Sequence, residues 1–295
     1  MFPATLPDPA PGILIIGYNA FDVVVPLPPE ACDFPRRDTK NEVPTIKVGG
    51  GGPGATAAVA LARLGASVTV VARNEAGLSE VLERLSEISD RPHRHLASDF
   101  SKPDEVRARF GSWLEANPIE VLINNAGGPP PGPIVAAEGE AFLEGMRTHL
   151  LSSQYLVQSA LPGMRRAGYG RIVNIISTSV YEPIPGLGVS NTVRAAMAAW
   201  AKTLSGELGP EGFTVNNVLP GFTATGRLDR LIQGRAEKSG QSEAEVAESM
   251  RSSVPMGRFA EPEEVANAIA FLASPAASYI SGVSLAVDGG RLKSL

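Results

Sequence analysis

Apolar positions follow two different periods along the chain. Six runs are rich in apolar residues: 13–16, 67–72, 120–123, 171–176, 213–218 and 283–287. Such short, continuous, β-branched runs predict buried strands. A weaker strand is predicted at 93–97. Between them the apolar spacing changes to three and four, which predicts helices. These cover 55–64, 76–87, 103–114, 138–167, 189–209 and 262–273. In the second, Leu78, Val81, Leu82 and Leu85 share one face. In the third, Pro103 stands in the first turn, where its missing N–H costs nothing. The long stretch 138–167 is expected to break near Pro162.

Strands apolar on both faces, alternating with helices, predict an α/β fold. The expected form is a doubly wound, mostly parallel, seven-stranded Rossmann-like sheet with helices on both faces. One interruption stands out. About thirty residues separate the first strand from its helix, where a few normally suffice. They carry Phe21–Val25, then Pro26, Pro28, Pro29 and Pro35, then Val43–Val48. This stretch, 18–48, reads as a small inserted β-flap. Residues 1–295 read as one Rossmann-like domain. Ligands of such sheets sit at the carboxyl ends of the strands. Functional residues are therefore expected in loops 17–54, 72–75, 98–101, 124–137, 177–190 and 219–230.

Two features there point to a dinucleotide. Gly49, Gly51, Gly52 and Gly54 lie just before an alanine-rich helix and include a G-x-G-x-x-G match. Glycines at that place let the backbone approach a phosphate. A plain hinge or tight helix entry explains the run almost as well. Arg73 directly follows the second strand, where an acid would accept a ribose hydroxyl and an arginine suits a 2′-phosphate. If a dinucleotide binds, NADP is favoured over NAD. The bland reading of Arg73 is a solvated loop charge.

Composition narrows the classes. Of 295 residues, 43% are hydrophobic and 19% charged, an ordinary globular balance. A formal charge of −5 argues against a nucleic-acid partner. One cysteine, Cys32, excludes an intrachain disulfide and a cysteine-based zinc site. His93 and His95 could face one way on a strand, but a strand end is the simpler reading and no metal is expected. No signal peptide and no apolar run long enough to span a membrane are visible, so a cytoplasmic protein is expected.

From about residue 65 to 290 the chain resembles short-chain dehydrogenases/reductases, on several motifs in order. These are Asp99 after the third strand and Asn124-Asn125-Ala126-Gly127 after the fourth. Then come Ile172–Ser177, Val215–Gly221, Arg258-Phe259, Pro262–Val265, Phe271–Ser274 and Ser281–Gly290. The resemblance implies hydride transfer between NADP(H) and a carbonyl or alcohol. It implies that Asp99, Asn125, Ala126 and Gly127 face the nucleotide, and that Pro220, Gly221, Thr223 and Thr225 hold the nicotinamide end. It further implies a dimer or tetramer built on helices near 138–167 and 189–209. Residues 12–66 are instead similar to the start of ribokinase-type sugar kinases, with Asp22 at an acid that binds sugar hydroxyls. The kinases' Gly-Ala-Gly-Asp is absent, so kinase chemistry is rejected and a chimera is suggested.

The catalytic positions depart from the family. Its serine falls on Ser177. Its tyrosine, thirteen positions on, is Ser190; its lysine, four further, is Arg194; its asparagine is His149. A serine is a far weaker acid than tyrosine, and arginine does not release its proton. Tyr181 or His149 could take over the proton. Three functions stay open: an NADP-dependent oxidoreductase with altered acid–base residues, a non-catalytic ligand binder, and an architectural chimera without turnover.

Overall fold

The computed structural model describes residues 12–17 and 53–294. The expected flap at 18–48, Gly49, Gly51, Gly52 and Asp22 lie outside the described residues, whereas Gly54 falls in the first turn of a helix. The strands are β1 (Gly12–Gly17), β2 (Ser67–Ala72), β3 (Arg94–Ala97), β4 (Val121–Asn125), β5 (Arg171–Ile175), β6 (Thr214–Pro220) and β7 (Ser284–Val287). They pair in parallel in the order β3-β2-β1-β4-β5-β6-β7. The order reverses between β1 and β4, which opens a crevice at their carboxyl ends.

Alternation along each strand distributes side chains to two apolar layers. Val70, Ile123, Val173 and Val218 pack with α1 (Pro53–Arg63), α2 (Glu75–Ile88) and α9 (Pro262–Ala273). Val71, Leu122, Ile172 and Val215 pack with α3 (Pro103–Ala116), α5 (Ser152–Ala167) and α6 (Gly188–Leu208). Beyond the carboxyl edge, α7 (Gly226–Ser239) and α8 (Glu243–Ser252) form a small layer of their own around Leu228, Ile232, Val246 and Met250.

The long helix expected over 138–167 needs correction. It consists of α4 (Gly139–Met146), a π-helical segment at Arg147–Leu151, and α5. Pro162 sits inside α5 without ending it. Proline removes only one helical donor, and its neighbour Gly163 packs tightly on Pro118, where an added Cβ would come within 3.0 Å. The irregularity lies three turns earlier, where widening of the helix leaves room for His149.

A polar ladder crosses the sheet inside these apolar layers. Asn124 Nδ2 donates to Asn174 Oδ1 (2.9 Å), Asn174 Nδ2 to Asn217 Oδ1 (3.0 Å), and Asn217 Nδ2 to Ser284 Oγ (3.0 Å). The four residues are register partners on β4 through β7. Each donor of the row finds an acceptor on the next strand, although Asn124 Oδ1 at its start is buried without a partner among the described residues, and a register slip would break the whole row. Asn174→Ala should strand both the Asn124 amide and the Asn217 carbonyl oxygen. We expect a loss of about 1–3 kcal/mol for each, read as a lowered midpoint in urea at unchanged slope. A neutral result would mean that the ladder is not a stabilising element.

Candidate active site

Polar groups from α6, α7 and the π-helical segment gather at the turn after β4. Gly188 opens α6 against Ile134, a contact that a Cβ would obstruct. One turn on, Ser190 and Arg194 lie on the same buried face of α6. Arg194 Nη1 donates to the Ile175 carbonyl at the end of β5 (2.9 Å) and Nη2 to the Ala126 carbonyl beyond β4 (3.2 Å). One guanidinium thus ties two strand ends together. Its Nε is buried and makes no hydrogen bond with the described residues. Burial, and then the charge of Arg227, lower this guanidinium to about 9, so it stays charged at neutral pH.

His149 comes from the π-helical segment and is 2% exposed. Burial holds its imidazole well below the ordinary value. The charges of Arg194 and Arg227 act in the same direction, and a backbone hydrogen bond with Gly127 opposes them. The ring is therefore neutral at pH 7, with Nε2 buried and unbonded among the described residues. Ser177 caps the short turn after β5, its Oγ accepting from the Ser179 N–H at 3.1 Å.

The structure also brings in a residue that the sequence analysis did not place in the site. Arg227, in the first turn of α7, reaches back across the crevice. A Cβ built on Gly128 would lie 2.8 Å from Arg227 Nη2 and 3.5 Å from Ser190 Oγ. Ser190, Arg194, His149 and Arg227 thus surround the turn Ala126–Gly127–Gly128. An arginine at a helix start opposes the helix dipole, and that misfit was the one signal in the sequence.

Tyr181 is not a stand-in acid. Its side chain is exposed, and its hydroxyl donates to the Ser284 carbonyl on β7 (3.1 Å). The motif Glu182-Pro183 follows it and leaves it on the outer rim. His93 Nδ1 accepts from the Val68 N–H at 3.2 Å, which ties the approach to β3 onto β2. Among the described residues no group of three His, Cys, Asp or Glu could hold a metal ion.

At the nucleotide end, Arg73 is exposed at the end of β2 and Asp99 lies beyond β3. Asp99 Oδ1 accepts from Ser101 N (3.0 Å) and Oγ (2.9 Å). Burial acts to raise the Asp99 carboxyl, but the Ser101 bonds and the charges of Arg73 and Lys102 outweigh it and hold it below the usual range. Asn125 ends β4, and Ala126 and Gly127 follow it. Pro220 ends β6. Gly221 is needed for packing, since a Cβ there would come within 2.7 Å of Asp288 Cα. Thr223 and Thr225 turn their hydroxyls onto the Gly221 and Thr223 carbonyls, both at 3.3 Å.

Comparison with known proteins finds relatives that match most of the chain. A sequence family described as enoyl-(acyl carrier protein) reductase matches residues 51–291. The 3-oxoacyl-(acyl-carrier-protein) reductase FabG of Vibrio cholerae is 31% identical, over 81% of this chain and 92% of its own. The NADPH-dependent reductase BacG of Bacillus subtilis is 30% identical, over 83% and 95%. L-sorbose reductase of Gluconobacter frateurii, solved with NADPH and L-sorbose, superimposes with a TM-score of 0.80. It is 26% identical and 97% of each chain is covered. Among the described residues no helix is long and apolar enough to cross a membrane.

Neutral His149 makes stability depend on pH. Unfolded, a histidine takes up its proton near pH 6.5; here it resists until well below that. The unfolded chain then binds more protons than the folded one, so stability falls as pH drops below about 6.5. His149→Gln should flatten this acid limb by up to about 1.4 kcal/mol per pH unit, measured by urea denaturation from pH 7.5 to 5. An unchanged slope would show that the imidazole is not held neutral.

Proposed function

The chain belongs to the short-chain dehydrogenase/reductase family, and from that premise we propose that it is an NADP(H)-dependent oxidoreductase of a small carbonyl or alcohol substrate. Its acid–base set differs from the tyrosine–lysine pair of the family pattern. The observation that carries this reading is the convergence of Ser190, Arg194 and His149 on the turn after β4.

The residues present suit the cofactor. Arg73 offers a planar fork to a 2′-phosphate beside Asp99. Gly49, Gly51, Gly52 and Gly54 are assigned to the diphosphate. The turn Asn125–Gly127, with Pro220, Gly221, Thr223 and Thr225, is assigned to the nucleoside and nicotinamide. When bound, NADP(H) supplies or accepts the hydride. Ser177 and Ser190 hold the substrate oxygen by hydrogen bonds. Arg194 stands behind Ser190 as a fixed positive charge and favours negative charge developing on that oxygen. Neutral His149 offers Nε2 as a hydrogen-bond acceptor that can orient a proton donor, while its lowered proton affinity disfavours taking the proton itself. Without a tyrosine acid, turnover should run about 10²–10⁴-fold below a complete site.

A non-catalytic ligand binder is the second reading. It is favoured by the commitment of both Arg194 terminal nitrogens to backbone carbonyls. The resemblance of residues 12–66 to sugar kinases is read as a local likeness of one β–α unit. The family match takes in α1, and no step of the chemistry draws on Asp22. A dimer or tetramer is the assembly proposed, through the α4–α5 and α6 faces. Support comes from exposed Leu143 and Leu151, and from Ala195 and Ala199 one turn apart on α6.

Two measurements test the proposal. NADPH at a hundredfold excess over its dissociation constant should stabilise the protein by about 2.7 kcal/mol in a thermal melt, and NADH should stabilise it less. Arg73→Glu should weaken NADPH at least tenfold and leave NADH little changed. No shift with either nucleotide would overturn the oxidoreductase reading. Sedimentation velocity should show a dimer or tetramer, and a monomer at micromolar concentration would refute the assembly.

A further inference from the structure

The layer formed by α7 and α8 holds a cavity of about 320 Å³ that the dinucleotide reading does not use. That volume stands at the small end of ligand sites, which start near about 300 Å³. Arg235 and Lys238 line it from α7, Gln241 from the following turn and Ser249 from α8. Val246 and Met250, both buried, form its apolar floor. No carboxylate of the described residues lines it, although Glu237, Glu245 and Glu248 stand on the same two helices. Those carboxylates are engaged elsewhere. Glu237 accepts from Gln233 Nε2 (3.2 Å), Glu245 from Ser242 N and Oγ (2.9 and 2.7 Å), and Glu248 pairs with Arg251 (3.4 Å).

The two cations have no such partner. Neither Arg235 nor Lys238 makes a hydrogen bond or ion pair with the described residues. Lys238 lies in the last turn of α7, where the helix dipole accounts for it. Arg235 needs another explanation. It is half-buried, and the one charge acting on it is that of Arg291. Burial, and then that like charge, lower its guanidinium from the ordinary value. Arg291 is itself fixed in place. Its guanidinium lies over the Phe222 ring (4.6 Å), and its Nη1 donates to Thr178 Oγ1 (3.4 Å). The chain beyond it is pinned by Asp288, which accepts from Leu292 N (2.8 Å), and by Glu182, which accepts from Lys293 N and Ser294 N (2.8 and 3.1 Å). Arg235 therefore meets a like charge that cannot move away, and an anion bound beside it would offset the repulsion.

We infer that this cavity is a binding site for a phosphate monoester, separate from the dinucleotide site. Its guanidinium, ammonium, amide and hydroxyl donors come from α7, the turn and α8. Donors spread over three elements suit a tetrahedral oxyanion with three acceptor oxygens better than a planar carboxylate. A phosphate monoester carries close to two negative charges at neutral pH, and Arg235 and Lys238 match them. The space exceeds a phosphate alone, and Val246 and Met250 give a short carbon arm an apolar surface. An occupant joins α7 to α8. Through Arg235 and Arg291 its charge is felt at Thr178, next to Ser177, and at Phe222, between Gly221 and Thr223. The site does not depend on the oxidoreductase reading. The phosphate could come from a metabolite or from the dinucleotide itself, and the experiment separates the two.

The probe is phenyl phosphate, titrated into the protein by calorimetry at pH 7.5 and constant ionic strength, with and without saturating NADPH. Wild type should bind it saturably, and NADPH should not displace it. Arg235→Gln should weaken it at least tenfold while NADPH affinity changes less than threefold, and Arg235→Lys should lie between. Lys238→Gln should weaken it at least threefold. Benzenesulfonate, of similar shape but with a single charge, should bind at least tenfold more weakly. Bound phenyl phosphate should slow amide exchange across 226–252 in wild type and not in Arg235→Gln. Absence of saturable binding would overturn the inference, as would equal binding by wild type and Arg235→Gln or equal affinity for the sulfonate. Displacement by NADPH would assign the contact to the cofactor, and would also overturn it. If NADPH fails to bind wild type, the oxidoreductase reading falls, while phenyl phosphate binding to the cofactor-free chain still decides this site. Melting of the variants near the wild-type temperature shows that they fold.

Discussion

The arrangement of the site depends on one buried guanidinium. Arg194 leaves α6, crosses beneath the crevice and donates to the carbonyls of Ile175 and Ala126. Strand ends expose carbonyls that no further strand residue can satisfy, and here a single side chain serves two of them. The arrangement demands that α6 begin where it does, which in turn demands glycine at 188 against Ile134. Removing the head group would leave two carbonyls buried and let the turn after β4 drift. The position held by a lysine in the family pattern has thus become a strut as well as a charge.

Much of the architecture is legible in the chain because its causes are local. Runs 67–72 and 171–176 are mostly apolar on both alternating faces, which marks them as inner strands. Pro103 and Pro262 mark helix starts for a plain steric reason. What could not be read is set by packing at a distance. Nothing in Arg147–Leu151 announces a π segment, whereas Pro162 suggests a break that the Gly163–Pro118 contact overrides. The asparagines of β4, β5 and β6 look alike in sequence. Only register reveals that Asn124, Asn174 and Asn217 form one row while Asn216 turns to the Ile280 carbonyl.

The site divides in the same way. Ser177, Ser190 and Arg194 are found through the family resemblance, whose intervals of thirteen and four persist after the residues have changed. Their partners are not found that way. Whether Tyr181 faces the crevice or the β7 edge depends on how the turn 178–180 closes, and Arg227 enters from a helix that its own sequence presents as a charged surface. A chain of net charge −5 places Arg194 and Arg227 close together at one buried point. Bulk charge therefore says nothing about which ligand the crevice favours.

The π-helical segment also constrains how the chain can vary in length. A π turn accommodates one residue more than an α turn, so Arg147–Leu151 behaves as an absorbed insertion. Deleting any one of these five residues would let α4 run straight into α5 with ordinary bonding and little change in packing beyond it. Side chains within the segment would rotate by about a quarter-turn, while those beyond it keep their direction. His149 would then leave Gly127, and the imidazole would exchange its sealed position for the outside of the helix. A single codon lost there would keep the fold and take the imidazole away from the crevice.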